Sequence, residues 1–251
     1  MLPDGRALPG KLVIVEGIDG SGKSTQLDML RKWLISHGYC VAFSEWNSST
    51  VVRDITRRGK KKKLLSPISF SLIHAADFTD RMERQMIPAL KAGAIVLADR
   101  YVYTAFARDV ARGVHPQWVR DVYGNAVQPT IAFYFQVTLE ESLNRILSGR
   151  PTLKFYEAGL DLDLSDDPFE SYKIFQGRVL EEYEKMVDEF GLQIIDATIP
   201  LLEQQELVRE IVEPHLGEAL CGDHSAWREV LSSEELQGRY LEKLFPEGDQ
   251  A

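Results

Sequence analysis

The run Gly17-Ile18-Asp19-Gly20-Ser21-Gly22-Lys23-Ser24-Thr25 follows directly on the apolar stretch Lys11 to Glu16. Gly17, four intervening residues and then Gly22-Lys23-Ser24 match the phosphate-binding loop pattern. Each residue type has a physical reason. Glycine lets main-chain N–H groups approach phosphate oxygens without a Cβ in the way, and a helix starting at the loop's end adds partial positive charge. Lys23 reaches the outer phosphates of a nucleoside triphosphate, read here as ATP, and the Ser24 hydroxyl is a candidate ligand for Mg²⁺. A second chemical position is Asp99-Arg100, which closes another apolar run, Ala94 to Asp99. A carboxylate there helps hold Mg²⁺ in P-loop proteins, and an arginine beside it keeps its charge and can fork onto a phosphate.

These groups need elements to hold them. Lys11 to Glu16 reads as a buried strand, and Leu27, Leu30 and Leu34 recur at helical spacing up to Gly38, so the loop lies between strand and helix. Cys40 to Glu45, Ala94 to Asp99, Thr130 to Val137 and Leu192 to Asp196 read as four further strands, with a long helix from about Pro67 to Ala92. Thr138 and Glu141 form a capping box for a helix carrying Leu139, Leu143, Ile146 and Leu147 inward, and Asp167, Pro168 and Glu170 open a longer one. Strands alternating with helices predict an α/β three-layer sandwich: a five-stranded parallel sheet, helices on both faces, and ligands beyond the strands' carboxyl ends. The P-loop domain is expected over residues 1–216, with a C-terminal helical extension over 217–251.

A chain of 251 residues with 44% hydrophobic and 27% charged residues is of ordinary globular composition. Its net charge of −9 argues against general nucleic-acid binding, so any polyanion must meet a local basic patch. Cys40 and Cys221 stand far apart and are expected as free thiols in a reducing compartment. No apolar run is long enough to span a membrane and the N-terminus lacks a signal-peptide core, so the expected location is the cytoplasm.

"VEGIDGSGKSTQ" together with "LADRY" resembles the thymidylate kinases, within the P-loop nucleoside monophosphate kinases. The likeness extends through Ala75 to Asp77, Ile87 to Gly93 and Arg112 to Val119, and covers roughly residues 11 to 200. It implies transfer of the ATP γ-phosphoryl group to dTMP with Mg²⁺, a cytosolic homodimer and a mobile lid. It also implies that Asp19 contacts the acceptor's sugar and Arg100 its phosphate, with Tyr101 and Arg108 on the acceptor side. Residues of about 149–166 carry no periodic pattern and occupy the lid's place, so Arg150, then Lys154, are the candidate lid cations.

The chain departs from that family at two places. Phe78 stands where an arginine reads the thymine base, with His74 near the position of a base-stacking aromatic, and Ser44 to Ser49 supplies no acceptor-phosphate arginine. Removing a base-reading donor could move the acceptor to another nucleotide or a phosphorylated metabolite. The basic run Arg57 to Lys63 reads as an exposed connection, since no aromatic residues interleave with it. A third reading, a nucleotide-operated switch, requires a group orienting attacking water, and Arg100 after Asp99 does not suit that role.

Overall fold

The computed structural model describes residues 6–217. Five parallel strands form one sheet in the order β2-β3-β1-β4-β5: β1 (Lys11–Glu16), β2 (Val41–Glu45), β3 (Ile95–Asp99), β4 (Ile131–Gln136) and β5 (Gln193–Asp196). All five sequence-predicted strands are present, β1 with its expected bounds and the other four shorter by a residue at one or both ends. The central strands are apolar on both faces because helices cover both, and β3 is buried along its whole length. In register, Val15 of β1 and Glu45 of β2 both lie opposite Asp99 of β3. This brings three strand ends, and therefore the loops that follow them, to one edge of the sheet.

The helices are α1 (Lys23–Ser36), α2 (Arg53–Lys61), α3 (Pro67–Arg81), α4 (Ile87–Lys91), α5 (Val102–Ala111), α6 (Pro116–Val122), α7 (Leu139–Gly149), α8 (Pro168–Phe190) and α9 (Leu201–Val212). The helix expected over Pro67 to Ala92 is interrupted by a π turn at Met82–Met86. Pro88 follows at once, and having no N–H it could not continue the α-helical hydrogen-bond ladder. Leu27, Leu30 and Leu34 are buried as their spacing predicts. On α7 only Ile146 of the four expected apolar residues is fully buried, while Leu139, Leu143 and Leu147 are half-buried. Thr138 caps α7 by accepting from the Glu141 N–H at 3.2 Å, but the Glu141 carboxylate turns to Arg145 instead of closing the box.

Two expectations are corrected. The run Arg57 to Lys63 is mostly the last turns of α2. The Ser49 hydroxyl accepts from the N–H groups of Val51 and Val52 just before that helix, and basic residues in its last turn suit the negative end of the helix dipole. Cys40 is disulfide-bonded and not a free thiol. Distance along the chain was a weak argument against pairing, because loop-closure entropy grows only logarithmically with loop length. The other cysteine of the sequence, Cys221, lies outside the described residues, as does the expected helical extension beyond Gly217. Among the described residues no helix is long and apolar enough to cross a membrane.

Candidate active site

The loop between β1 and α1 is built by its glycines. Gly17 has φ 139°, and a Cβ there would lie 2.8 Å from the Phe135 carbonyl oxygen, so no other residue fits without moving β4. Gly22 has φ 81° and caps α1 with no side-chain hydrogen bond, while a Cβ there would meet nothing within 4 Å. The first turn of α1 therefore faces open space with its amides uncapped by any side chain, which fits an anion cradle. Lys23 is buried and its ammonium donates to the Ile18 carbonyl at 3.2 Å. Burial, and then the neighbouring Arg100 charge, push its pKa down to about 8.

Ser24 Oγ donates to Asp99 Oδ2, so the two candidate metal ligands touch. A hydroxyl and a carboxylate are hard oxygen donors of the kind that Mg²⁺ takes. Among the described residues there is no cluster of three or more His, Cys, Asp or Glu able to hold a metal. The residues fit the ion.

Arg100 adopts a left-handed backbone with φ 72°. Its guanidinium donates to the Gly17 carbonyl at 2.8 Å and pairs with Asp19, while Arg108 pairs with the other Asp19 oxygen at 3.1 Å. Burial would raise the Asp19 carboxyl, but Arg108 and Arg100 hold it well below the usual range. The backbone around Arg100 is anchored by a group that sequence reading missed. Glu16, fully buried at the end of β1, accepts from the N–H groups of Tyr101 (2.7 Å) and Thr104 (3.1 Å), the Thr104 hydroxyl (2.6 Å) and the Tyr183 hydroxyl (2.9 Å). Burial pushes its carboxyl up, and these donors oppose the shift. Glu16 thus joins β1, the start of α5 and α8 behind the arginine.

These groups open into one cavity of about 510 Å³, within the range of small-ligand sites. Seven basic and four acidic side chains line it, in a chain that is acidic as a whole. Asp19, Lys23, Ser24, Asp99, Arg100, Arg108 and Lys154 reach it from the sequence-predicted set. Arg150 does not, being turned onto Glu157. The segment 151–166 has turns but no helix or strand, as expected. Arg112 holds it against α5, pairing with Asp161 at 3.1 Å and donating to the Tyr156 carbonyl at 2.6 Å.

Three proposed acceptor residues lie outside the cavity lining. Tyr101 donates its hydroxyl to the Val127 carbonyl at 2.7 Å. His74, neutral because burial and then Lys60 depress its pKa, donates from Nδ1 to the Phe70 carbonyl at 2.6 Å and stacks on Trp46. Phe78 is fully buried among Tyr101, Tyr123, Trp46 and Arg81. The aromatic lining comes instead from Trp46, Phe70, Phe155 and Tyr156. Asp77 braces the lip, accepting from the Asn47 and Ser49 N–H groups at 3.1 and 2.9 Å and from Arg81 at 2.8 Å. Phe78→Arg places a second guanidinium beside the buried Arg81. It is expected to cost about 3 kcal/mol or more and to lower Tm by roughly 6–12 °C. A scanning-calorimetry Tm within a degree of wild type would show that the site has room for it.

Residues 15–208 match the model of the thymidylate kinase family. The chain belongs to the thymidylate kinase family. A protein named probable thymidylate kinase 2 of Saccharolobus solfataricus is 44% identical over 213 residues, covering 84% of this chain and 99% of the relative. A probable thymidylate kinase of Thermococcus kodakarensis is 31% identical, covering 82% of this chain and 98% of its own. A thymidylate kinase of Thermoanaerobacter sp. strain X514 is 28% identical, covering 83% and 100%. The chain is therefore a phosphotransferase, and its loop is the ATP-binding P-loop typical of the family. The cavity of this family member joins the P-loop to a basic and aromatic wall.

Proposed function

We propose that this kinase transfers the γ-phosphoryl group of ATP to the phosphate of dTMP, giving dTDP and ADP. The observation that carries the reading is the single cavity in which Lys23 and Ser24 stand with Arg100, Arg108 and the aromatic wall. The reaction needs alignment and positive charge more than covalent chemistry. Ser24 and Asp99 would hold Mg²⁺, which would supply neutralisation of phosphate charge when bound. Lys23 binds the transferring group, and Arg100, fixed by Gly17 and Asp19, aims an acceptor phosphate oxygen for in-line attack. Asp19 orients both arginines and remains available to the acceptor's sugar. Lys154 is the cation of segment 149–166 that faces the reacting groups, and the closure of that segment over them excludes water.

The working form is a homodimer in the cytoplasm, where nucleotide pools are used. Exposed Ile68 and Leu72, one turn apart on α3, support an apolar face for association. The activity is tested by incubating the full chain with Mg²⁺ and ATP against each ribo- and deoxyribonucleoside monophosphate. dTMP is expected to give the highest kcat/KM, and turnover of a non-thymidine acceptor alone would contradict the proposal.

A further inference from the structure

The family arginine that reads the base is replaced here by Phe78, which is buried away from the cavity. Some other group must meet the acceptor base if dTMP is selected. Of the basic run, Lys60 and Lys61 line the cavity, and Lys60 stands at its aromatic wall with Nζ 5.1 Å from the Phe70 ring centroid. The other face of this neighbourhood is held by Arg112, whose guanidinium lies 4.4 Å from the same ring and is committed to Asp161 and Tyr156. The Lys60 ammonium has no such commitment, with no ion pair or hydrogen bond among the described residues beside its contact with the Phe70 ring. Burial, followed by the charges of Arg108 and Arg112, depresses its pKa to about 7, and Asp77 opposes the shift. A half-buried ammonium among cations and without a counter-ion is costly, so it fits a site completed by a ligand acceptor.

The same cavity is lined by a complementary group. Asn47 follows β2 in a left-handed conformation with φ 65°, its N–H fixed to Asp77, and it lines the same cavity. Its Oδ1 is buried and without a hydrogen-bond partner. An ammonium only donates, and an amide oxygen only accepts. Thymine and uracil present a carbonyl oxygen beside an N–H on their pairing edge, whereas cytosine presents an amino group beside an unprotonated nitrogen. With the 4-position of the base at Lys60 and ring N3 at Asn47, the first pattern satisfies both protein groups, whereas the second sets donor against donor and acceptor against acceptor.

We infer that Lys60, together with Asn47 of the same cavity, reads the carbonyl-bearing edge of the acceptor base and takes over the selectivity that Phe78 cannot supply. The inference rests on the proposed dTMP kinase activity and names the determinant of its acceptor class. Lys60 binds the base carbonyl and takes no part in the phosphoryl transfer itself.

The test compares wild type, Lys60→Met, Lys60→Leu and Lys60→Arg as full chains, with dTMP, dUMP and dCMP as acceptors. Both neutral variants are expected to lower the dTMP-to-dCMP ratio of kcat/KM by about tenfold or more, with dUMP following dTMP. Lys60→Arg, which keeps the donor, is expected to restore most of the ratio. The KM for ATP and the affinity for ADP should stay within about threefold of wild type, showing that the P-loop is intact. An equal loss on dTMP and dCMP would place Lys60 on the phosphate common to both and overturn the inference, as would an unchanged ratio in either folded neutral variant. Wild type that phosphorylates none of the three acceptors would remove the proposed activity itself. Wild type that is active with a ratio insensitive to Lys60 would remove only this inference.

Discussion

Lys23→Met is expected to reduce kcat by about 10²–10³-fold while leaving the fold intact, since removing one preorganised donor to developing charge costs this much in enzymes. The side chain is buried at the base of the loop and its ammonium is tethered only to the Ile18 carbonyl, so methionine can occupy its volume without leaving a charge unpaired. Its pKa of about 8 adds a second readout. In the free enzyme burial and Arg100 disfavour the ammonium, whereas a bound triphosphate adds negative charge and raises the pKa. Near pH 8, nucleotide binding must therefore take up protons. Titration calorimetry in buffers of different ionisation enthalpy should detect that uptake in wild type and lose the Lys23 share in Lys23→Met. Equal uptake in both proteins, or kcat within a few-fold of wild type, would show that Lys23 does not meet the phosphates.

Arg100→Lys is the second large effect. The substitution preserves charge but cannot simultaneously donate to Gly17 and pair with Asp19 through a rigid fork, which is how the acceptor cation is aimed. A fall in kcat/KM for dTMP of about 10²-fold or more is expected, with ATP binding changed far less, because misalignment acts on the transition state more than on donor affinity. The left-handed φ of 72° at Arg100 is held by Glu16 from the next strand, so the geometry should survive the change of side chain. Steady-state kinetics with each substrate varied in turn separate the cases. A loss confined to ATP affinity would mean that Arg100 serves the donor.

The P-loop side of this cavity was readable from sequence because it is local. Gly17 to Thr25 carries its own backbone geometry, and Asp99 lies at the end of an apolar run whose parallel pairing with β1 brings it to Ser24. The sheet was readable for the same reason: five short apolar runs separated by helical spacing leave few arrangements. The acceptor half depends on which side of a helix faces the cavity after packing. Phe78 and His74 are positioned by helical periodicity, yet Trp46, Tyr123 and Phe70 enclose them, so resemblance placed them in a pocket that packing excludes them from. Lys60 was hidden within a charge run whose other members are largely solvated, and only the turn of α2 against α3 singles it out. Glu16 appeared as the last residue of an apolar strand, and its role is set by Tyr101, Thr104 and Tyr183, which the sequence holds far apart.

Phosphorus NMR of the full chain with Mg²⁺, ATP and dTMP tests the direct transfer most plainly. ADP and dTDP should grow together in equal amounts as ATP declines, with no inorganic phosphate at early times. Phosphate release without dTDP, or ATP that persists beside dTMP, would contradict it.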